Sequence, residues 1–396
     1  MKRVAIIGAG AAGCFCAANL RRLAPDVRID IYERAKKPLQ KVAVTGGGRC
    51  NLTNSFAEVR SLQQVYPRGY NLMKRLLKGF DHRQTMQWWE EAGVRLVTQD
   101  DQCVFPRSQE AQEIVNTLLR GMLGARLLLG QKIDDITRLT SHYDAVVVTT
   151  GGSPKAEGLS FLQPLGLEIV PPVPSLFTFT LDSDITSLMG VVVPHAVAGL
   201  AGTKLRAEGP LLITHWGMSG PAILKLSSYG ARLLAEQGYK ATLIVNWLGG
   251  ANDEEVRSAL GAMLKENASK QIGNTSLMLN GAALQHRLWQ YLLTAAGIDP
   301  VRRCAEVGTK QLSRLVATMT SSTYPIVGRS SYKEEFVTCG GVALSEVDAQ
   351  TLECRKRSGL YLAGEVLDVD AVTGGFNLQA AWTMGMTVAR SIASKE

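Results

Sequence analysis

The sequence predicts an α/β protein whose main domain is assembled from both ends of the chain and is interrupted by a β-rich and helical insertion. Three observations carry this prediction. The first 33 residues alternate strand, glycine turn, helix and strand, which is a βαβ unit. Residues 189–250 change to short β-rich pieces separated by Gly and Pro, and residues 252–298 change to helix. From about Thr338 a strand and a helix return, in GLYLAGE and NLQAAWTMGMTVARSIA.

Local sequence supports each element. RVAIIGAG and VRIDIYE are rich in β-branched residues, as strands are, and AAGCFCAANLRRLA between them has helical spacing. YDAVVVTTGG predicts a further buried strand that ends in glycines. In the insertion, Asn252 and Asp253 are suitable helix caps. The helix that they precede has an apolar face made of Val256, Leu260, Met263 and Leu264.

Composition places limits on the class of protein. Apolar residues at 46% and charged residues at 20% are typical of a soluble globular protein. The longest apolar runs are strand-length, far below the roughly 20 residues that span a bilayer, so no membrane helix is expected. The N-terminus passes directly into a strand without the apolar region of a signal peptide, which predicts a cytoplasmic location. Seven cysteines without a CxxC pair predict neither a disulfide framework nor a metal site.

The formal net charge of +8 is concentrated in two segments. Residues 60–83 and residues 300–333 each hold six basic residues against one acid. Such surfaces attract a polyanion, and Tyr66, Tyr70 and Phe80 within the first segment would suit RNA; the alternative is two well-solvated helix faces. The basic residues are Arg60, Arg68, Lys74, Arg75, Lys78 and Arg83, then Arg302, Arg303, Lys310, Arg314, Arg329 and Lys333.

A GxGxxG motif lies directly after the first strand and opens the first helix, at Gly8, Gly10 and Gly13. Its glycines allow a tight turn, close approach of a pyrophosphate and close helix–strand packing. Glu33 ends the second strand, where a carboxylate accepts hydrogen bonds from ribose hydroxyls. The motif therefore predicts a bound dinucleotide with an unphosphorylated adenosine ribose.

The C-terminal segment favours FAD over NAD. A strand leads to Gly364, Glu365 and Asp368, and then to Gly374-Gly375 and a helix that starts near Asn377. A helix N-terminus aimed at the flavin would stabilise the negative charge of its reduced form, whereas an NAD dehydrogenase has no use for this segment. Because a second dinucleotide fingerprint is missing from the sequence, NAD(P)H is expected to dock transiently as the reductant; the alternative is a different reductant.

The stretch KVAVTGGGRCNLTN, residues 41–54, combines a bare backbone with many hydrogen-bonding groups. The glycines at 46–48 allow close approach to a flavin or its phosphates, while Arg49 offers charge and Asn51, Thr53 and Asn54 offer hydrogen bonds. The alternative, a flexible surface turn, does not explain the polar residues that follow at once. We therefore predict contact with the cofactor.

Four stretches together carry a family resemblance: KVAVTGGGRCNLTN, THWGMSGPAIL, TCGGVALSEVD and GLYLAGEVLDVDAVTGGFNLQAAW. The chain resembles, over essentially its whole length, the BaiN/RdsA group of FAD-dependent oxidoreductases. The resemblance implies a glutathione-reductase-like FAD-binding Rossmann domain with an inserted β-barrel and a helical subdomain. One departure is Ala371, where the pattern commonly has glycine. The expected FAD contacts are Gly8, Gly10, Gly13, Glu33, Gly47, Gly48, Arg49, Asn51, Thr53, Gly364, Glu365, Asp368, Gly375 and Asn377.

The predicted cofactor-binding set also includes neighbours of these residues: Ala11, Ala12, Arg34, Lys41, Cys50, Thr150, Gly151, Gly152, Gly374, Phe376 and Gln379. The expected domains are a discontinuous FAD-binding domain at 1–188 and 321–396, a barrel-like domain at 189–250 and 299–320, and a helical subdomain at 251–298.

Three functions follow from the resemblance and the charge pattern. The first is reduction of uridine to dihydrouridine in 23S ribosomal RNA, with RNA bound by the two basic segments. A second is reduction of a double bond in a small molecule, which would use an apolar pocket and not the charge. A third is an RNA-binding protein whose FAD is structural. Cys50 is the candidate proton donor, with Cys339 and His215 as comparable candidates. The alternative for Cys50 is core packing, and the alternative for His215 is a structural role.

Overall fold

The computed structural model describes residues 1–153, 155–279, 282–330 and 337–395. The chain divides into two compact units. The first consists of Met1–Pro174 and Val337–Glu396, and the second of Ser175–Phe336. The first unit therefore contains both ends of the chain.

The helices and strands follow in chain order. The N-terminal part contains β1 (Arg3–Ile7), α1 (Ala11–Leu23), β2 (Arg28–Glu33), α2 (Gln40–Val44), β3 (Thr53–Asn54), α3 (Leu62–Val65), α4 (Tyr70–Leu76), α5 (His82–Glu91), β4 (Leu96–Thr98), β5 (Cys103–Pro106), α6 (Ala111–Gly121), β6 (Arg126–Leu129), α7 (Thr137–Thr140), β7 (Ala145–Val148) and β8 (Ile169–Ser175). The middle part contains β9 (Phe179–Leu181), β10 (Val192–Leu200), β11 (Arg206–Ile213), β12 (Gly217–Ser219), α8 (Pro221–Tyr229), α9 (Ala231–Glu236), β13 (Ala241–Asn246), α10 (Asp253–Glu266), β14 (Met278–Leu279), β15 (Ala282–Ala283), α11 (His286–Ala295), α12 (Thr309–Ser321) and β16 (Ser322–Arg329). The C-terminal part contains β17 (Val337–Val342), β18 (Leu360–Leu362) and α13 (Phe376–Ser394).

A five-stranded parallel sheet with the order β18-β7-β1-β2-β6 forms the centre of the first unit. The inner strands β1 and β7 are apolar and buried along nearly their whole length, as strands covered on both faces must be. Because all five strands are parallel, their carboxyl ends lie at one edge of the sheet. This edge is where open α/β sheets bind ligands. The predicted α/β class and its Rossmann-type domain are confirmed.

Helix α13 brings the far end of the chain to the first helix. A Cβ added at Gly385 of α13 would lie 2.7 Å from the backbone oxygen of Ala12 and 3.2 Å from the nitrogen of Cys16. Only a residue without a side chain permits this approach. The start of α1 is thereby packed against α13.

The second unit is built on a closed six-stranded barrel with the order β10-β11-β12-β9-β16-β13. Its hydrophobic core includes residues of α10, α11 and α12 as well as barrel residues. Asn252 caps α10 in a capping box with Glu255, as the sequence predicts for this position. The predicted apolar face of the helix, Val256, Leu260, Met263 and Leu264, is buried.

The unit boundaries differ from those drawn on the sequence. Strands β9 and β16 lie in segments that the sequence assigns to the FAD-binding domain, yet they pair with each other in the barrel. A barrel must close, and these two strands link β12 to β13 to complete it. The helices at 253–295 share a core with the barrel, which sequence periodicity does not reveal. Among the described residues, no helix has both the length and the hydrophobicity needed to cross a membrane.

Candidate cofactor site

The GxGxxG turn connects β1 to α1 at the carboxyl edge of the sheet. Gly8 has a φ of +105°, and a Cβ there would lie 2.4 Å from Thr149 O. A Cβ at Gly13 would lie 2.1 Å from Gly8 O, so both glycines are required by the turn itself. At Gly10, by contrast, no atom of the described chain lies within 4 Å of an added Cβ. Gly10 therefore keeps open the space in front of the helix.

The first turn of α1, which begins with Ala11, Ala12 and Gly13, has the features of an anion site. No side chain caps it, and it contains no acidic residue. Its free backbone N–H groups and the positive end of the helix dipole favour a negatively charged ligand. This arrangement fits the diphosphate of a dinucleotide.

Glu33 at the end of β2 is fixed beside this turn. Its Oε2 accepts a hydrogen bond from the Ala9 N–H and its Oε1 accepts one from the Ala35 N–H, both at 2.8 Å. A carboxylate has about four lone-pair sites, so two bonds leave capacity for the hydroxyls of a ribose. Arg34, the next residue, is exposed.

A second group of predicted residues meets at the ends of β7 and β18. Glu365 accepts hydrogen bonds from the Thr338 N–H at Oε1 (2.7 Å) and from Lys41 Nζ at Oε2 (3.2 Å). A Cβ at Gly151 would lie 3.7 Å from Glu365 Oε2, and one at Gly152 would lie 3.0 Å from its Cδ. Gly364 faces α1, since its Cβ would lie 3.1 Å from that of Ala12. Thr150, just before these glycines, is exposed.

The triple-glycine loop, residues 45–50, has an unusual backbone. Gly46, Gly47 and Gly48 have φ values of +62°, +70° and +83°, a left-handed run that residues with side chains rarely adopt. Arg49 is held over this loop, because its Nε donates to Gly46 O (3.2 Å) and its guanidinium lies 4.6 Å from the Phe105 ring centre. The loop is exposed at all three glycines.

The asparagines after this loop bind the start of α13. In the orientation that satisfies both of its groups, the Asn51 amide donates to Thr53 O (3.0 Å) and accepts from the Gly375 N–H (3.1 Å). Asn54 donates from Nδ2 to Gly374 O (3.1 Å). The residues at 51–54 and the glycines at 374–375 are therefore brought together, as a shared cofactor site requires.

Thr53 and Gln379, both predicted to bind the cofactor, have side chains that bind each other. Both are buried, and the Thr53 hydroxyl donates to Gln379 Oε1 (2.5 Å). Gln379 Nε2 in turn donates to Thr85 (2.9 Å) and Thr383 (3.0 Å). These side chains hold one another in the core, because a buried amide must find its partners inside the protein.

The side chain of Asn377 binds the backbone of the loop that precedes α13. Its Oδ1 accepts from the Ala371 N–H and its Nδ2 donates to Ala371 O, both at 2.9 Å. The C-terminal glycine loop, residues 363–375, is thus fixed at Ala371, a position where this chain departs from the family pattern. Asp368 is half-buried on the same loop, where its N–H donates to Val342 O (3.0 Å), and Phe376 is buried at the first position of α13.

A buried ion pair that the sequence did not indicate also fixes the C-terminal glycine loop. Arg68 Nε donates to Asp370 Oδ1 (2.5 Å), and its Nη2 binds Asp370 Oδ2. Nearby, the Val372 N–H donates to Val65 O (2.9 Å) and the Tyr66 hydroxyl donates to Phe376 O (3.1 Å). The sequence offered one signal for this ion pair. Asp370 is an acidic residue two positions after Asp368, in a loop predicted to bind the cofactor.

The candidate proton donors lie in different environments. Cys50 is fully buried, and its burial raises the pKa of its thiol to about 12. Its φ of +62° continues the left-handed run of the triple-glycine loop. Cys339 is also fully buried, in β17. His215 is exposed between β11 and β12 of the second unit, beside Trp216.

The first basic segment keeps most of its charge at the surface but not its aromatic rings. Tyr66 is fully buried and Phe80 is 4% exposed, so these rings are not available to stack on RNA bases. Tyr70 is half-buried. Arg68 is occupied by Asp370. In the second segment, Lys333 lies outside the described residues. The exposed basic residues of that segment are Arg303, Lys310 and Arg314.

Comparison with known proteins gives one family and several full-length relatives. The family model described as "HI0933-like protein Rossmann domain" matches residues 2–391. A ribosomal RNA dihydrouridine synthase of Escherichia coli (strain K12) is 29% identical over 418 residues, which cover 98% of this chain and 97% of the relative. The protein of the same name from Haemophilus influenzae is 28% identical, with 98% of each chain covered. A 3-dehydro-bile acid delta(4,6)-reductase of Clostridium scindens is 26% identical, with 100% of each chain covered.

Proposed function

Since the chain belongs to the HI0933-like Rossmann-domain family, we propose that it is an FAD-dependent oxidoreductase that reduces a carbon–carbon double bond with NAD(P)H as the electron donor. We propose uridine in 23S ribosomal RNA as the substrate and dihydrouridine as the product. The names of the relatives from Escherichia coli and Haemophilus influenzae support this choice.

One structural observation carries the cofactor proposal. Groups from both ends of the chain meet at the carboxyl edge of the sheet, where Gly364 lies beside Ala12 and Gly151 lies beside Glu365. The turn at Gly8 and Gly10 would bind the diphosphate at the N-terminus of α1, and Glu33 the adenosine ribose. The loops at 45–54 and 363–375 would hold the flavin ring, with the N-terminus of α13 stabilising its reduced, negatively charged form.

Bound FAD, once reduced by NAD(P)H, would supply a hydride. Reduction of uracil adds this hydride to C6 and a proton to C5, so the C5=C6 double bond is lost while both carbonyl groups remain. The protein must orient the base and exclude water from the site. Because a base inside a helix is stacked, the target base must also leave its stack, which costs a few kcal/mol.

The proposed partner is ribosomal RNA, bound through the basic segments 60–83 and 300–333. The charge of these segments supports the proposal, since phosphate contacts supply most of the affinity of proteins for nucleic acids. Reduction of a small molecule is the second candidate, because the Clostridium scindens relative is named as a bile acid reductase and matches over the full chain.

The test is a reaction with defined substrates. Purified protein reconstituted with FAD would be mixed with NADH or NADPH and unmodified 23S ribosomal RNA, which would then be digested to nucleosides for mass spectrometry. We expect dihydrouridine to appear only when protein and reductant are both present. Flavin that is reoxidised by an enone but not by RNA would favour the small-molecule reductase, and protein that binds no FAD would refute both candidates.

A further inference from the structure

The surface around α4 collects exposed positive charge from distant parts of the sequence. Lys74, Arg75 and Lys78 are exposed on α4 and the turn after it, and Arg83 is exposed on α5. Arg390 of α13 joins them, since its Nη1 donates to Gly79 O (2.8 Å). We call these five residues the α4 surface.

Within the described parts of the chain, none of these five cations forms an ion pair with an acidic side chain. The sequence contains no Asp or Glu from Val59 to Phe80. Asp81 follows, but its carboxylate accepts the Arg83 and Gln84 N–H groups (2.9 and 3.0 Å) as the cap of α5. Glu91, at the opposite end of α5, lies 3.6 Å from Arg22. The α4 surface therefore presents cations that are available to a polyanion.

Two of the three aromatic rings of the first basic segment face inward and the third, that of Tyr70, is half-buried, which limits the mode of recognition. The hydroxyl of the buried Tyr66 is bonded to Phe376 O, and Phe80 is packed under the Arg390 guanidinium at 5.8 Å. Exposed rings bind single-stranded bases by stacking, whereas exposed cations bind phosphates. The α4 surface thus suits the sugar–phosphate backbone and not the bases.

The α4 surface is physically connected to the C-terminal glycine loop. Arg68, two residues before α4, is paired with Asp370, and the N–H of Val372 is bonded to Val65. The start of α4 therefore lies beside the segment proposed to hold the flavin ring, and a polyanion bound along α4 would extend from there. This position suits a substrate of which one base reacts while its neighbouring phosphates are held.

We propose that the α4 surface is the docking site for the RNA backbone that flanks the reacting base, and that it reads phosphates without reading sequence. The inference rests on the proposed function. It assigns the RNA contact to five residues, one of which, Arg390, lies outside the basic segments of the sequence.

The test compares two triple charge reversals of equal size. K74E/R75E/K78E alters the α4 surface, and the control R107E/K132E/R138E alters three exposed cations of the same unit. Binding of fluorescein-labelled transcripts of 23S ribosomal RNA fragments would be measured by anisotropy over a range of salt. We expect the slope of log K against log[salt] to be less steep for the α4 variant than for wild type, by about 2 to 3. At 0.1 M salt, the variant should bind RNA more weakly by a factor on the order of 100. The control should retain the wild-type slope.

Several outcomes decide between the proposals. If wild-type protein forms dihydrouridine but the α4 variant binds RNA with the wild-type slope, the docking surface is refuted and the function stands. If wild-type protein binds no RNA yet reduces enones, the RNA substrate and the docking surface both fail. RNA with abasic sites keeps its phosphates. If wild type and the α4 variant bound such RNA with the same salt slope, phosphate recognition would be contradicted. Binding to phosphatidylglycerol vesicles instead of RNA would identify a membrane surface. A milder variant, K74Q/R75Q/K78Q, gives the same comparison should the charge reversal fail to fold.

Discussion

The guanidinium group of Arg68 binds the carboxylate of Asp370 through two nitrogens, and so joins residues that are 302 positions apart in the sequence. Asp370 is 1% exposed. The pair holds the segment before α4 against the C-terminal glycine loop, which is the part of the protein that we expect to orient the flavin ring.

Replacing Asp370 with Asn should destabilise the protein and loosen this loop. The substitution leaves the largely buried Arg68 without the carboxylate that compensates its charge, and breaking such a pair costs about 3 kcal/mol or more. We expect a lower free energy of unfolding in urea and a shifted visible spectrum of bound FAD. The control Asp134→Asn removes an exposed pair with Lys132 and should change neither. Equal stability of D370N and wild type would show that the pair does not hold the loop.

Gly10→Ala tests whether the glycine at position 10 is needed for binding a ligand and not for folding. Its φ of −90° is accessible to alanine, and the new Cβ would meet no described atom within 4 Å. The apoprotein should therefore unfold within about 1 kcal/mol of wild type, while FAD binding weakens at least about tenfold because the methyl group occupies the space in front of α1. Urea unfolding and a flavin fluorescence titration measure the two quantities.

Gly8→Ala is the matched comparison. There the Cβ would collide with the backbone at Thr149 and φ is +105°, so the apoprotein itself should lose about 3 kcal/mol or more. If G10A bound FAD as tightly as wild type, the diphosphate would not lie at this turn.

Glu33→Gln should weaken the binding of FAD without unfolding the protein. The N–H groups of Ala9 and Ala35 use two of the carboxylate's about four acceptor sites, and the other sites would accept the ribose hydroxyls. An amide offers only one accepting oxygen, so it can keep a backbone bond only by losing a bond to the ribose. Loss of one hydrogen bond to a charged group is worth about 1.5 to 3 kcal/mol, or roughly 10- to 100-fold in the Kd for FAD. The exposed Glu58→Gln is the control, and an unchanged Kd for E33Q would remove Glu33 from the site.

Cys50→Ser should keep full turnover. The thiol is fully buried, so a substrate cannot reach it. Burial also raises the pKa of the thiol to about 12 and keeps it protonated, but a proton donor must carry its proton, so lack of access alone excludes the thiol as the donor. A buried hydroxyl in its place should cost about 1 to 3 kcal/mol of stability. Cys103→Ser, also buried, should behave in the same way. A loss of turnover specific to C50S, with FAD still bound, would restore Cys50 as the proton donor.

Local patterns in the sequence determined the α/β class, the turn at Gly8–Gly13 and the cap of α10 at Asn252. Each of these depends on residues close together in the chain: the spacing of apolar side chains, the freedom of glycine and the hydrogen bonds of one helix end. Such interactions are the same in any tertiary context, so sequence alone was sufficient to predict them.

Only the tertiary structure decided which polar groups are buried against one another and which stay exposed. Thr53 and Gln379 bind each other in the core, Tyr66 and Phe80 turn inward, and Arg68 is paired with Asp370 although it looked like surface charge. Each outcome depends on a partner from a distant part of the chain. The physical reason is that a polar group removed from water must be satisfied by whatever neighbour the fold supplies, and that neighbour is not encoded by local spacing.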